Sequence, residues 1–244
     1  LSFDDGYASF YTRVLPVLRA YNWPALLAPV GTWIDTPLNQ PVDFAGTPRN
    51  RENFLTWQQI REISRSGLVE IAAHTDANHK GILGNPQGNL QPAAATRRYD
   101  PVTKRYESEA DFQARIRTDV KNISEKIRKA TGYKPRVWVW PYGTADGTSL
   151  TVVGEEGYEM ALTLDDGLDT LDNLMSGPRF LVASDPDGEH FANSIVSVQA
   201  EAPMRVVHVD LDNVYDPDPA QQDINLGKLV QRMADLGAST VFLQ

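Results

Sequence analysis

With 244 residues, 41% of them apolar and 23% charged, the chain has the make-up of a folded protein, long enough for one large core or for one domain and part of another. A formal charge of −9 argues against a nucleic-acid backbone or an anionic membrane surface as the main partner, and favours a neutral or cationic substrate. The absence of cysteine excludes disulfides, thiolate catalysis and cysteine-ligated zinc, and no apolar run approaches the length of a membrane span.

The chain opens on LSFDDGYASF. The apolar run of residues 1–3 is short for a core strand and is expected to continue upstream, as in a processed or trimmed piece. From Tyr7 to Tyr21 the apolar positions Tyr7, Phe10, Tyr11, Val14, Leu15 and Leu18 follow helical spacing, with Pro16 marking a kink or an early stop. Residues 24–34 read as a buried strand running into a loop. Thr56 with Gln59 forms a capping-box signature for a helix that stops near Gly67, and residues 68–75 form the next strand.

Residues 76–108 are rich in Asn, Gly, Pro and Gln and show little periodicity; a connection of that length is usually functional or mobile. Phe112, Ile116, Val120, Ile123 and Ile127 then mark an amphipathic helix ending at Gly132. A strand at 136–143, a helix near 148–156 and a strand at 158–164 follow. A further strand at 179–184 and a helix near 187–198 complete the alternation. Around residue 200 the pattern restarts, with a strand in 204–216, a helix carrying Leu226, Leu229, Val230, Met233 and Leu236, and a strand at 239–244.

Nearly continuous apolar strands alternating with helices predict an α/β fold with a parallel sheet. A distorted or incomplete (β/α) barrel suits the count better than a doubly wound sheet, since no glycine-rich phosphate loop follows the first strand. The predicted domains are residues 1–200, with part of this domain expected upstream of Leu1, and residues 201–244, the first β-α-β of a second β/α barrel.

Adjacent carboxylates Asp4 and Asp5 repel one another unless they are exposed, paired or metal-bound. In β/α barrels the loops after the strands form the active face, so Asp4, Asp5, His74 and His79 converge on one rim. Two imidazoles and one carboxylate hold a divalent cation while leaving positions open for water and substrate; the other aspartate is then free to act as a base. The competing reading is an exposed Asp-Asp-Gly turn beside ordinary loop histidines. In WPYG (140–143) Pro141 fixes the backbone, so that the Tyr142 amide can face a developing oxyanion; the same four residues also fit a proline turn with core aromatics. Trp33, Trp57, Trp138 and Trp140 are candidates for sugar stacking, although core packing is the default for each.

Taken together, SFDDG, HTDANH and WPYG resemble the polysaccharide deacetylases of carbohydrate esterase family 4. The longer stretches FDDGYASFYTRVLPVL, WPALLAPVGTWIDTP, FLTWQQIREISRSGLVEIAAHT and VWVWPYG are similar to the biofilm poly-β-1,6-N-acetyl-D-glucosamine N-deacetylases of Gram-negative bacteria. In those proteins a glycoside-hydrolase-like barrel follows, and VVHVDLDNVYD looks like its beginning. The resemblance implies metal-assisted removal of N-acetyl groups as acetate. Asp5, His74 and His79 would hold the metal, with zinc first and iron, cobalt or nickel as options. Asp4 would be the general base, the Tyr142 amide would stabilise the oxyanion, and Trp140, Pro141 and Tyr142 would bind substrate. It also implies a β-1,6-linked N-acetylglucosamine polymer as partner, an outer-membrane export protein beside it, and a periplasmic, outer-membrane-associated location, with no nucleic acid and no transmembrane segment.

Two departures bear on this, and one repeat of the opening motif. The family often carries an arginine at the place of Val139, and Arg136 on the same strand has no assignable role. His190 is a candidate general acid, but it falls where a helix should begin; in the biofilm relatives the acid histidine lies upstream of the Asp-Asp motif. Asp165 and Asp166 echo the opening motif, in a solvated turn or near the pocket. Two other classes stay open: a carbohydrate-binding or export module with weak or lost activity, and a glycosidase, which needs two acids set apart across a sugar. The acidic cluster Asp210, Asp212 and Asp216 receives no role.

Overall fold

The computed structural model describes residues 1–165, 167, 170–196 and 204–244, and divides into two units, Leu1–Ser197 and Val198–Gln244. Parallel strands and helices make it an α/β protein.

In the first unit β1 (Ser2–Asp5) is followed by a π-helical turn at Phe10–Val14 and by α1 (Leu15–Tyr21). Pro16 explains the break: it tolerates the first turn of α1 but cannot donate within a continuous helix. The buried strand of 24–34 is β2 (Ala25–Pro29), and the expected loop after it is instead a short helix, α2 (Gly31–Asp35). A hairpin unforeseen in the sequence follows, β3 (Val42–Phe44) and β4 (Thr47–Arg49). Next come α3 (Trp57–Ser64) and β5 (Val69–Ile71). The capping box predicted for Thr56 and Gln59 is present in both directions.

Residues 76–108 carry two small hairpins, β6 (Gly81–Leu83) with β7 (Leu90–Pro92), and β8 (Tyr99–Asp100) with β9 (Arg105–Tyr106). Arg115 ties the segment down, donating to the carbonyls of Ala93 and Thr96 and pairing with Glu107. The residue that does this lies on α4 (Glu109–Thr131). That helix starts at a Ser108 cap, carries acids in its first turn and bases in its last, and ends at Gly132 in the left-handed region. All five of its predicted core positions are buried. After it come β10 (Val137–Val139), α5 (Gly147–Glu155), β11 (Met160–Leu162) and α6 (Gly188–Val196). The strand expected at 179–184 is not formed; this stretch is irregular and runs into two left-handed residues, Ser184 and Asp185, through which a strand cannot continue.

The parallel order is β1-β2-β5, continued through bridges Val30 to Thr75 and Ala73 to Trp138 to the parallel pair β10-β11. Alternation with period two sends Leu27, Ile71, Ala73 and Trp138 into the main core with the helices, and Ala28, Ala72, Val137 and Val139 into a second, smaller cluster. Buried on both sides, the strands read as unbroken apolar runs.

The second unit is β12 (Val206–Val209), α7 (Pro219–Asp235) and β13 (Thr240–Leu243), with the two strands parallel in register. Asp210 and Asp216 accept backbone N–H groups of Asp212 and Asp218, as turn-capping residues do. Among the described residues no helix is long and apolar enough to cross a membrane.

Candidate active site

The adjacent aspartates part company because the backbone turns between them. Asp5 has φ +71° and Gly6 φ +81°, and the Gly6 N–H closes a tight turn on the Asp4 carbonyl at 2.8 Å. A left-handed aspartate at a strand end is strained and is held there by its surroundings. A Cβ on Gly6 would meet Pro29 at 3.1 Å, so the turn passes close against β2.

The turn aims Asp5 at two histidines. Its Oδ1 lies 3.6 Å from His74 Nε2 and 3.4 Å from His79 Nε2. The ligand atoms of the three residues all fall within 4.8 Å of one another. His74 is oriented from behind, since its Nδ1 sits 2.7 Å from the Val139 carbonyl. That leaves Nε2 as the nitrogen facing Asp5. His79 is wedged among rings, with centroids 4.4 Å from Tyr142, 4.8 Å from Trp33 and 4.9 Å from His74.

Asp5 Oδ1 is buried and has no hydrogen-bond partner, and the same holds for His79 Nδ1. Burial, with the Asp4 charge adding to it, pushes the Asp5 carboxyl up to about 7. Burial likewise lowers His74, and takes His79, with help from His74, down to about 3. Two neutral imidazoles and an unpartnered carboxylate oxygen are a donor set that fits a divalent cation, whose charge would remove the cost of burying Asp5.

The loop between the histidines is built by a buried carboxylate on α4. Asp119 accepts from the Thr75 hydroxyl at 2.5 Å and from the Asp76 and Ala77 N–H groups at 3.0 and 2.7 Å. Lys126 bridges Asp76 and Asp35, and Trp57 Nε1 donates to Asp35. Asp119→Leu is expected to weaken divalent-metal affinity about 10- to 100-fold, measured by chelator competition. Retained affinity would make this network a matter of stability alone.

Asp4 faces a different partner. The Arg179 guanidinium engages both of its oxygens, at 2.8 and 2.9 Å, and also donates to Ser2 Oγ and to the Thr163 carbonyl. The fork fixes the plane of the carboxylate and leaves a lone pair on each oxygen. No local pattern announced Arg179; it pairs with a residue 175 positions away. Val139, at the place of the arginine the resemblance implies, contributes a carbonyl to His74 instead, and Arg136 is exposed and pairs with Glu70 and Glu159.

Tyr142 sits at φ +58°, 42% exposed, at the end of β10. Its neighbour Gly143 (φ +70°) is required, because a Cβ there would lie 2.5 Å from Leu164 Cβ. Trp140 was expected to touch substrate, but it has no exposed surface and packs against Trp138; Pro141 is buried too. Trp33 and Trp138 are likewise core residues, so none of these three tryptophans can stack on a sugar. His190 is exposed and bonds to Asp187 at the start of α6, with no contact to the Asp-His-His group among the described residues. Asp165 is exposed, as in a solvated turn, and Asp166 lies outside the described residues.

Residues 1–161 match the family described as polysaccharide deacetylase, and residues 208–244 match hypothetical glycosyl hydrolase family 13. The chain is 46% identical over all its 244 residues to the poly-β-1,6-N-acetyl-D-glucosamine N-deacetylase of Escherichia coli strain K12, and spans 36% of the length of that relative. Among solved structures, the deacetylase domain of BpsB from Bordetella bronchiseptica is 44% identical, with a TM-score of 0.69 over 73% of this chain and 68% of that one. A de-N-acetylase from Aggregatibacter actinomycetemcomitans is 38% identical, with a TM-score of 0.73 over 79% and 73%.

Proposed function

Because this chain belongs to the polysaccharide deacetylase family, we propose that it hydrolyses the N-acetyl groups of a β-1,6-linked N-acetylglucosamine polymer, releasing acetate and leaving a free amine on the sugar. The observation that carries this is the pairing of two unlike carboxylates. Asp5 is turned toward His74 and His79 with an unpartnered oxygen, and Asp4 beside it is held by an arginine fork. The name of the Escherichia coli relative supplies the polymer.

Asp5, His74 and His79 would hold a divalent ion, zinc by the chemistry of the donors, with iron, cobalt and nickel as the alternatives. When bound, such an ion polarises the acetyl carbonyl and makes water a better nucleophile. Asp4 takes a proton from the attacking water, and Arg179 keeps that carboxylate pointed at it. The Tyr142 amide donates to the oxyanion that forms as the carbonyl carbon becomes tetrahedral. Breaking the C–N bond then requires the amine to gain a proton, which balances the one Asp4 took from water, while acetate departs. His190 is set aside as its donor, since its ring bonds to Asp187 and is exposed.

Removing the fork should be costly. Arg179→Met is expected to lower kcat about 10- to 100-fold, and Arg179→Lys to recover only part of it, because an ammonium cannot engage both oxygens in one plane. Steady-state rates of acetate release at saturating metal would check this.

The reading as a whole is tested by incubating the metal-loaded chain with a β-1,6-linked N-acetylglucosamine pentamer. Acetate release without shortening of the oligomer, abolished by a chelator, is the expected result. Shortening would indicate a glycosidase, and binding without release a carbohydrate-binding or export module. With this reading we also propose a distorted or incomplete (β/α) barrel for residues 1–200 and the opening of a second β/α barrel at 201–244. The parallel β12-α7-β13 unit supports the latter. A periplasmic, outer-membrane-associated location beside an export protein goes with it, to be tested by fractionation and co-purification.

A further inference from the structure

The β3-β4 hairpin brings to the site residues that the hydrolysis above does not use. Its turn is tight, with Ala45 and Gly46 both left-handed and the Gly46 N–H bonded to Asp43 Oδ1 at 2.7 Å. Phe44, at the head of that turn, has its ring centroid 6.1 Å from His79 and 6.3 Å from Tyr7. Tyr7 in turn stacks on Phe54 at 5.2 Å with the rings 20° apart. A line of rings thus runs Tyr7, Phe44, His79, Tyr142.

The burial along this line is uneven. Phe54 is 2% exposed and belongs to the core, whereas Tyr7 is 39% exposed although it directly follows the Asp-Asp-Gly turn. Arg49 lays its guanidinium over Phe44, 5.6 Å from the ring centroid, and makes no ion pair among the described residues. An aromatic ring backed by a core ring and left open to water, next to an arginine held over a neighbouring ring and without an ion pair among the described residues, is a surface prepared for a ligand.

The geometry points to a sugar subsite, formed by Tyr7, Phe44 and Arg49 beside the reacting residue, that takes a neighbouring N-acetylated unit of the polymer. This rests on the proposed substrate. The flat C–H face of a β-linked glucosamine ring packs on the open face of Tyr7, with Phe44 holding Arg49 beside it. The guanidinium donates to its hydroxyl and acetamide oxygens. A free ammonium on the same unit would face the Arg49 cation and be repelled. The subsite therefore prefers an acetylated neighbour to one already deacetylated.

The test is equilibrium binding of the acetylated pentamer, and of its fully deacetylated counterpart, to the metal-loaded full chain. Asp4→Asn serves as the background, so that turnover does not intrude. Tyr7→Leu is expected to weaken binding of the acetylated pentamer about five- to tenfold, and Tyr7→Phe, which keeps the ring, to restore it. Arg49→Gln, at an exposed position, should shrink the preference for the acetylated over the deacetylated pentamer by about threefold. Unchanged affinity in Tyr7→Leu, or an unchanged preference in Arg49→Gln, overturns the subsite. Failure of the deacetylase reading shows separately, as a wild-type chain that releases no acetate whatever the binding results.

Discussion

Asp4→Asn is expected to slow acetate release about 10²- to 10⁴-fold, the range for losing a positioned general base, while the chain still binds divalent metal. The substitution keeps size and shape but leaves a group that cannot take a proton from water. It also leaves the Arg179 fork facing an amide in place of the carboxylate it holds at 2.8 and 2.9 Å. The loss of a charge-assisted bond there should cost about 1–3 kcal/mol of stability, visible as a lower Tm. Metal binding offers an internal control with a definite sign. The Asp4 charge, which helps to raise Asp5, attracts a divalent cation more strongly than it holds a single proton on Asp5, so removing it should weaken metal binding modestly without abolishing it. Activity within tenfold of wild type would remove Asp4 from the mechanism; lost metal binding would make it a ligand instead.

Metal affinity should fall about tenfold for each pH unit below about 7, because one proton must leave Asp5 for the cation to bind. His79, held down to about 3, stays neutral across most of that range and adds no further proton, and burial lowers His74 in the same direction. A site of two ordinary histidines would instead lose them near pH 6.5 and show a steeper fall. The same groups act on the metal-free fold with opposite signs. The raised Asp5 favours folding below its unfolded value near 3.8, a contribution lost as pH rises through about 7. The lowered histidines contribute above 6.5, and His79 loses its share as pH falls through about 3. Comparing Asp5→Asn with wild type, both free of metal, isolates the first of these. The stability advantage of the variant should grow from about pH 4 to about pH 7 and stay flat above. Denaturant titrations across that interval measure it, and a constant difference would mean that the buried carboxylate carries no such penalty. Metal added at pH 8 should raise the Tm of wild type and leave Asp5→Asn unmoved.

Much of the site was legible before any fold was known. The Asp-Asp-Gly turn, the histidine pair and the Pro-Tyr-Gly turn each end an apolar run, and strand ends in a parallel sheet share one edge. Caps were equally plain: Thr56 with Gln59, and the long helix closed by Gly132, are written in neighbouring residues because a helix end must satisfy its own N–H and C=O groups nearby. Tryptophan misled for a related reason. Trp138 lies on, and Trp140 directly follows, a strand buried on both faces, where alternation no longer distinguishes inside from outside.

Order along the chain thus named the groups on offer: which carboxylates, which imidazoles, and after which apolar runs. Packing alone decided what each of them faces. Arg179 reaches Asp4 across 175 positions, the helix residue Asp119 shapes the loop between the two histidines, and a hairpin with no evident periodicity sets Phe44 beside His79. Periodicity and capping are local, reporting what each backbone segment needs within a turn or two. The partner of a charged or aromatic side chain is set by which elements the core brings together, and no local rule in the chain encodes that.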